Sequence, residues 1–125
     1  MITEDYVSFE VAKLLKEKGF NERICHYYDE DGFLHCDTGL YFCNSLELSN
    51  DISAPTLQMA RKWLREVYGY VIVVEPGLSG GKYVWTYKVI LCRTRTILLQ
   101  HEDNVGSSTY EEAVEVALKH CLNLI

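Results

Sequence analysis

Nowhere does this chain hold an apolar run approaching the roughly 18 to 20 residues needed to cross a bilayer. No membrane partner is expected. Its start, MITEDYVSFE, is acidic where a secretory leader would be basic and then apolar, which points to a cytoplasmic protein. There is no internal repeat and no low-complexity tract, so solenoids and disordered linkers are set aside. The five cysteines, Cys25, Cys36, Cys43, Cys92 and Cys121, include no CxxC pair. An odd count with that spacing argues against a secreted disulfide framework and against a zinc knuckle, and reduced thiols are expected.

Positive charge is scarce in the first part of the chain. Residues 1–54 carry four basic and eleven acidic side chains, and residues 55–125 carry eight and seven, which together give the net −6. An acidic segment repels phosphate, and Lys82, Lys88, Arg93 and Arg95 are too few to make a nucleic-acid footprint in the remainder. Gly77, Gly80 and Gly81 lack the G-K-[ST] ending and the following helix of a phosphate loop. The acidic run Asp29-Glu30-Asp31-Gly32 is too short for a calcium loop, whose ligands spread over about twelve residues.

What is present suits one domain. A length of 125 residues with 48% hydrophobic and 24% charged content can bury a core of its own. The first helix is read in VSFEVAKLLKEKGF: Ser8 caps it, Glu10 favours the positive end of its dipole, and Val11, Leu14 and Leu15 form its stripe. Gly19 stops it, with Phe20 placed to pack back on Leu15 in a Schellman ending. Arg23 to Tyr28 and Phe33 to Cys36 flank the Asp-Glu-Asp-Gly turn and read as a hairpin. Residues 37–52 lack periodicity and are expected to be a long loop, parts of which pack down or form a short edge strand.

The second helix is the plainest feature. SAPTLQMARKWLREVYG, from Ser53 to Gly69, supplies start, stripe and stop, with Leu57, Ala60, Leu64 and Val67 inward, Trp63 widening the stripe and Arg61 on the wet side. Strands follow at Tyr70 to Glu75, Tyr83 to Leu91 and Thr96 to Gln100, the first turn spanning residues 76–81. The last helix starts at Thr109 with a T-x-x-E capping box to Glu112, and its stripe is Ala113, Val116, Ala117, Cys121 and Leu124. The expected fold is therefore α+β, one domain over 1–125 in the order α-β-β-α-β-β-β-α, an antiparallel sheet with helices packed on one face.

Three resemblances bear on function. The segments APTLQMARKWLREV at 54–67 and TYEEAVEVALKHCLNLI at 109–125, with the opening ITEDYVSFEVAKLLKEKGF, are similar to a group of short uncharacterised proteins of Bacteroides-type gut bacteria, their phages and mobile elements. That resemblance implies a small bacterial cytosolic protein and carries over no site residue. The S-x-E-x-A-x-x-L opening resembles the first helix of helix-turn-helix regulators, yet Asn21 to Tyr28 reads as a strand where the recognition helix would stand. Residues 55–125 follow the α-β-β-β-α order of the double-stranded-RNA-binding domain, and GSSTYEEAVEVALKHCL resembles its last helix. That family places lysines at the start of this helix, and here stand Tyr110, Glu111 and Glu112, so the likeness concerns topology.

Two sets of residues are candidates for function. Tyr83, Trp85 and Tyr87 alternate on one face of their strand, and they or the apolar part of the 40–48 loop, Leu40, Tyr41 and Phe42, offer a contact surface. A non-enzymatic accessory protein acting by protein association or as a homodimer is the leading expectation. The alternative is a small enzyme or ligand binder using His26, His35 and Cys36 of the hairpin. A four-residue loop would pair His26 with His35 and Cys25 with Cys36; a three-residue loop would pair His26 with Cys36 and His35 with Tyr27. In either register no more than two ligand atoms come together, so neither a metal nor another cofactor is expected. Cys121 beside His120 is a weaker pair, since adjacent helical residues diverge by about 100°.

Overall fold

A computed structural model describes residues 1–36, 44, 50–100 and 106–125. The fold is α+β in the expected order, with one two-residue strand added: α1 (Phe9–Glu17), β1 (His26–Tyr28), β2 (Leu34–Cys36), β3 (Ile52–Ser53), α2 (Leu57–Tyr68), β4 (Tyr70–Ser79), β5 (Lys82–Leu91), β6 (Thr96–Gln100) and α3 (Tyr110–Leu124). The strands make two antiparallel three-stranded sheets, ordered β2-β1-β3 and β4-β5-β6. The chain divides into two compact units, residues 1–59 and 60–125, the boundary falling inside the first turn of α2. No helix among the described residues is long and apolar enough to cross a membrane.

In the first unit, α1 begins and ends as its sequence dictates. The Ser8 hydroxyl accepts from the Val11 amide at 3.1 Å. At the other end Gly19 takes φ +97°, its amide donates to the Lys16 carbonyl, and the Phe20 amide donates to the Leu15 carbonyl. Those two bonds are the Schellman pair. Phe20 is thereby turned inward and is buried, as are Val7, Val11, Ala12 and Leu15 of this unit, a burial worth roughly 1.5–3 kcal/mol for its side chain.

The approach to α2 departs from expectation. Ser53 does not open the helix, because residues 52–56 are extended and bonded elsewhere: Ile52 and Ser53 pair with Tyr28 and Tyr27, the Ala54 amide donates to the His26 carbonyl, and Thr56 bridges to Tyr6. Thr56 is the cap, its hydroxyl accepting from the Met59 amide at 3.1 Å. The stripe is also altered. Leu57, Ala60, Trp63 and Leu64 are buried, but Val67, in the last turn, is 57% exposed. Arg61, expected in water, turns inward and donates to the Ile72 carbonyl and the Tyr110 hydroxyl, both at 2.8 Å.

In the second unit, β4 and β5 form a ten-pair ribbon around a turn of only two residues, Gly80 and Gly81. Both glycines have positive φ, the type I′ geometry that matches the twist of the strands. The expected six-residue turn is therefore mostly strand, and Pro76 lies inside it. Trp85 exchanges both backbone hydrogen bonds with Ser107, so its polar groups point away from β4. Pro76, directly opposite, is consequently in a non-bonded pair and faces its nitrogen toward the open edge, where no donor is missed.

Helix α3 packs on β4 and β5. The Thr109 hydroxyl accepts from the Glu112 amide at 3.1 Å, while the Glu112 carboxylate accepts from Ser108. The buried face is Ala113, Val114, Ala117, Leu118, Cys121 and Leu122, a rotation away from the expected stripe that leaves Leu124 exposed. Gly106, just before α3, passes so close to β5 that a Cβ there would lie 2.6 Å from Val84.

Candidate functional site

The turn between β1 and β2 chooses the register. Asp29 and Phe33 close a three-residue loop, with the Asp29 amide donating to the Phe33 carbonyl and the Gly32 amide to the Asp29 carbonyl, both at 3.0 Å. Gly32 sits at φ +87°, the left-handed position such loops require. The Asp29 carboxylate accepts from the Asp31 and Phe33 amides with one oxygen and meets His35 Nε2 at 2.7 Å with the other. Of the two registers this is the three-residue one, pairing His26 with Cys36 and Tyr27 with His35.

The expected trio of His26, His35 and Cys36 is thereby divided. His35 is held by Asp29 and stacks on Tyr27, with ring centroids 5.3 Å apart. Its hydrogen bond, followed by that of the Phe33 amide, lowers the Asp29 carboxyl below the ordinary range. His26 and Cys36, as a direct cross-strand pair, share the other face. Cys25 joins them. Its Sγ lies 3.6 Å from His26 Nδ1, and one donor atom each from Cys25, His26 and Cys36 all fall within 4.8 Å of one another.

That convergence corrects the expectation of two ligands at most. Strict alternation places Cys25 on the face opposite His26, but alternation holds only inside a strand, and Cys25 occupies a bend just before β1. No local sequence signal marks that bend, and the segment paired beside β1, Ile52–Ser53, lies after a long aperiodic stretch. Tyr6 was not singled out either. It stacks on the His26 ring at 4.1 Å between centroids and is held in place by its bridge to Thr56. Burial first, then the neighbouring Cys25 and Cys36, raise the Tyr6 phenol, which stays protonated.

Beside the cluster opens a recess of about 270 Å³. Cys25 and His26 form part of its wall, Arg23 borders it, and Ile24, Ala54 and Met59 make it largely apolar. Cys36 stands outside this wall, exposed on β2. The site therefore combines two thiols and an imidazole with a small apolar hollow. The hairpin carboxylate that could orient a catalytic histidine, Asp29, is engaged with His35 instead.

The other candidate residues fare differently. Tyr87 is 4% exposed and is taken into the core beneath α3, where its hydroxyl meets His120 Nδ1. It is not available as a contact surface, because α3 covers that part of the strand face. Trp85 is half-buried and packs edge-on against Tyr110. Tyr83 lies beyond the helix at the ribbon tip and is 87% exposed. Leu40, Tyr41 and Phe42 lie outside the described residues. Cys121 is buried, which pushes its thiol up to about 12, and His120 beside it serves Tyr87, so that pair has no nucleophile to offer. No family model, no curated protein and no solved structure matches the chain.

Proposed function

We propose that the protein acts by binding, and that it holds a small ligand where Cys25, His26 and Cys36 converge beside the recess of the first unit. The observation that carries this reading is the convergence itself: three donor side chains gathered by a fixed hairpin register, two of them in the wall of an apolar hollow. Concave, mostly apolar sites with a few convergent polar groups are the usual form of a ligand pocket, and this one is below the size that takes a drug-like molecule. Native mass spectrometry of protein purified without denaturant tests it. The expected spectrum shows mass beyond the bare chain, lost in His26→Gln or in Met59→Trp, which narrows the recess. A bare chain from the unaltered protein would end this reading.

A second reading, association with a protein or with another copy, is favoured by one observation. Leu78 and Tyr83 are paired across the ribbon tip and are 70% and 87% exposed, an apolar ledge at the end of β4 and β5.

A further inference from the structure

We infer that the ligand of the Cys25, His26 and Cys36 cluster is a thiophilic divalent metal ion, with zinc the expected one. The inference deepens the small-ligand reading and rests on it for the location of the site alone. Two thiolate sulfurs and one imidazole nitrogen are a borderline-soft donor set, suited to zinc and unsuited to magnesium or calcium, which take oxygen. The spacing fits as well. With zinc–sulfur and zinc–nitrogen bonds of about 2.3 and 2.0–2.1 Å at a tetrahedral angle, sulfur and nitrogen stand about 3.6 Å apart. Cys25 Sγ and His26 Nδ1 are separated by 3.6 Å. Cys36 Sγ is within 4.8 Å of the other donor atoms, so a small side-chain movement completes the set.

The scaffold supports such a site. His26 and Cys36 face each other in a register locked by the Asp29 turn, and the His26 carbonyl accepts from the Ala54 amide just after β3. The Tyr6 ring stacks on the face of the imidazole and restrains its plane. Orientation of a ligating histidine by its surroundings is a recurrent requirement of metal sites. Charge agrees: residues 1–59 carry eleven acidic and four basic side chains, a field that draws cations. Binding releases two thiol protons to solvent as the two metal–sulfur bonds form, and the divalent charge neutralises both thiolates.

Among the described residues no fourth histidine, cysteine, aspartate or glutamate joins the three. Three protein ligands with one position left to an exchangeable group is the arrangement of accessible zinc sites, as distinct from closed structural ones. Two of the three ligands, Cys25 and His26, stand in the wall of the recess.

Cobalt(II) titration of the chelator-treated chain tests the inference. The expected result is one cobalt per chain, with thiolate-to-cobalt charge-transfer absorption and tetrahedral visible bands, all displaced by zinc. Cys25→Ser, Cys36→Ser and His26→Gln each weaken binding at least about tenfold. His35→Gln, whose partner is Asp29, leaves it unchanged; far-ultraviolet circular dichroism confirms that each variant is folded. A weak octahedral spectrum without charge transfer, or full affinity in folded Cys36→Ser, overturns the metal. An organic mass retained in native mass spectrometry alongside a silent cobalt titration overturns the metal and leaves the small-ligand reading standing. A bare chain together with silent cobalt overturns both.

Discussion

Asp29 sets the geometry of the hairpin with one side chain, and its environment makes a pH-dependent consequence measurable. Two backbone amides and His35 bond to its carboxylate, and each favours the ionised form. With the carboxyl lowered in the folded chain, the stability it contributes is complete above the ordinary aspartate value of about 3.9. That stability is lost as pH falls through the lower, folded value. Following the Asp31 and Phe33 amides by NMR during acid titration should give a midpoint below the ordinary value; a midpoint at or above it would remove Asp29 as the register-setting residue. The turn was legible from Gly32 and the acidic run. Its register was not, because four-residue and three-residue loops both accommodate that sequence and the choice depends on which amides Asp29 reaches. Cys25 stayed hidden for a related reason: a single bend reverses the face that alternation assigns.

Elements were readable wherever their signals are local. Ser8, the Gly19–Phe20 ending and Thr109 all perform the capping that short-range chemistry assigns to them. The start of α2 was misplaced because residues 52–56 are claimed by strand partners distant in sequence, a tertiary competitor that local propensity does not register. The arc of α3 was rotated for the same reason, since which of two adjacent apolar residues turns inward depends on the sheet beneath. Close packing at the entry to α3 yields a prediction. In Gly106→Ala the new methyl would meet Val84 at 2.6 Å, and overpacking of this kind costs roughly 1–3 kcal/mol. Urea unfolding should show that loss, with Val84→Ala in the double variant recovering part of it. Stability within about 0.5 kcal/mol of the parent would mean that the strand and the segment before the helix do not approach so closely.

At the scale of the whole molecule, composition and charge narrowed the partners without naming a ligand, because the proposed site is made of three side chains brought together by register and a bend. Association through the ribbon tip is a question for the intact chain. Light scattering across micromolar concentrations should give a mass above one chain that falls to one chain in Tyr83→Lys, which places a charge on the exposed ledge. A single-chain mass for the parent at every concentration would remove the second reading. Pro76 limits the form such an assembly can take. Along the outer edge of β4 the groups that face outward are those of the non-bonded positions, and at the second of these from the tip the proline supplies a carbonyl but no hydrogen to donate. A strand from another copy laid along this edge would have its ladder broken there. Endless sheet extension on that side, the growth mode of a fibril, is thereby interrupted.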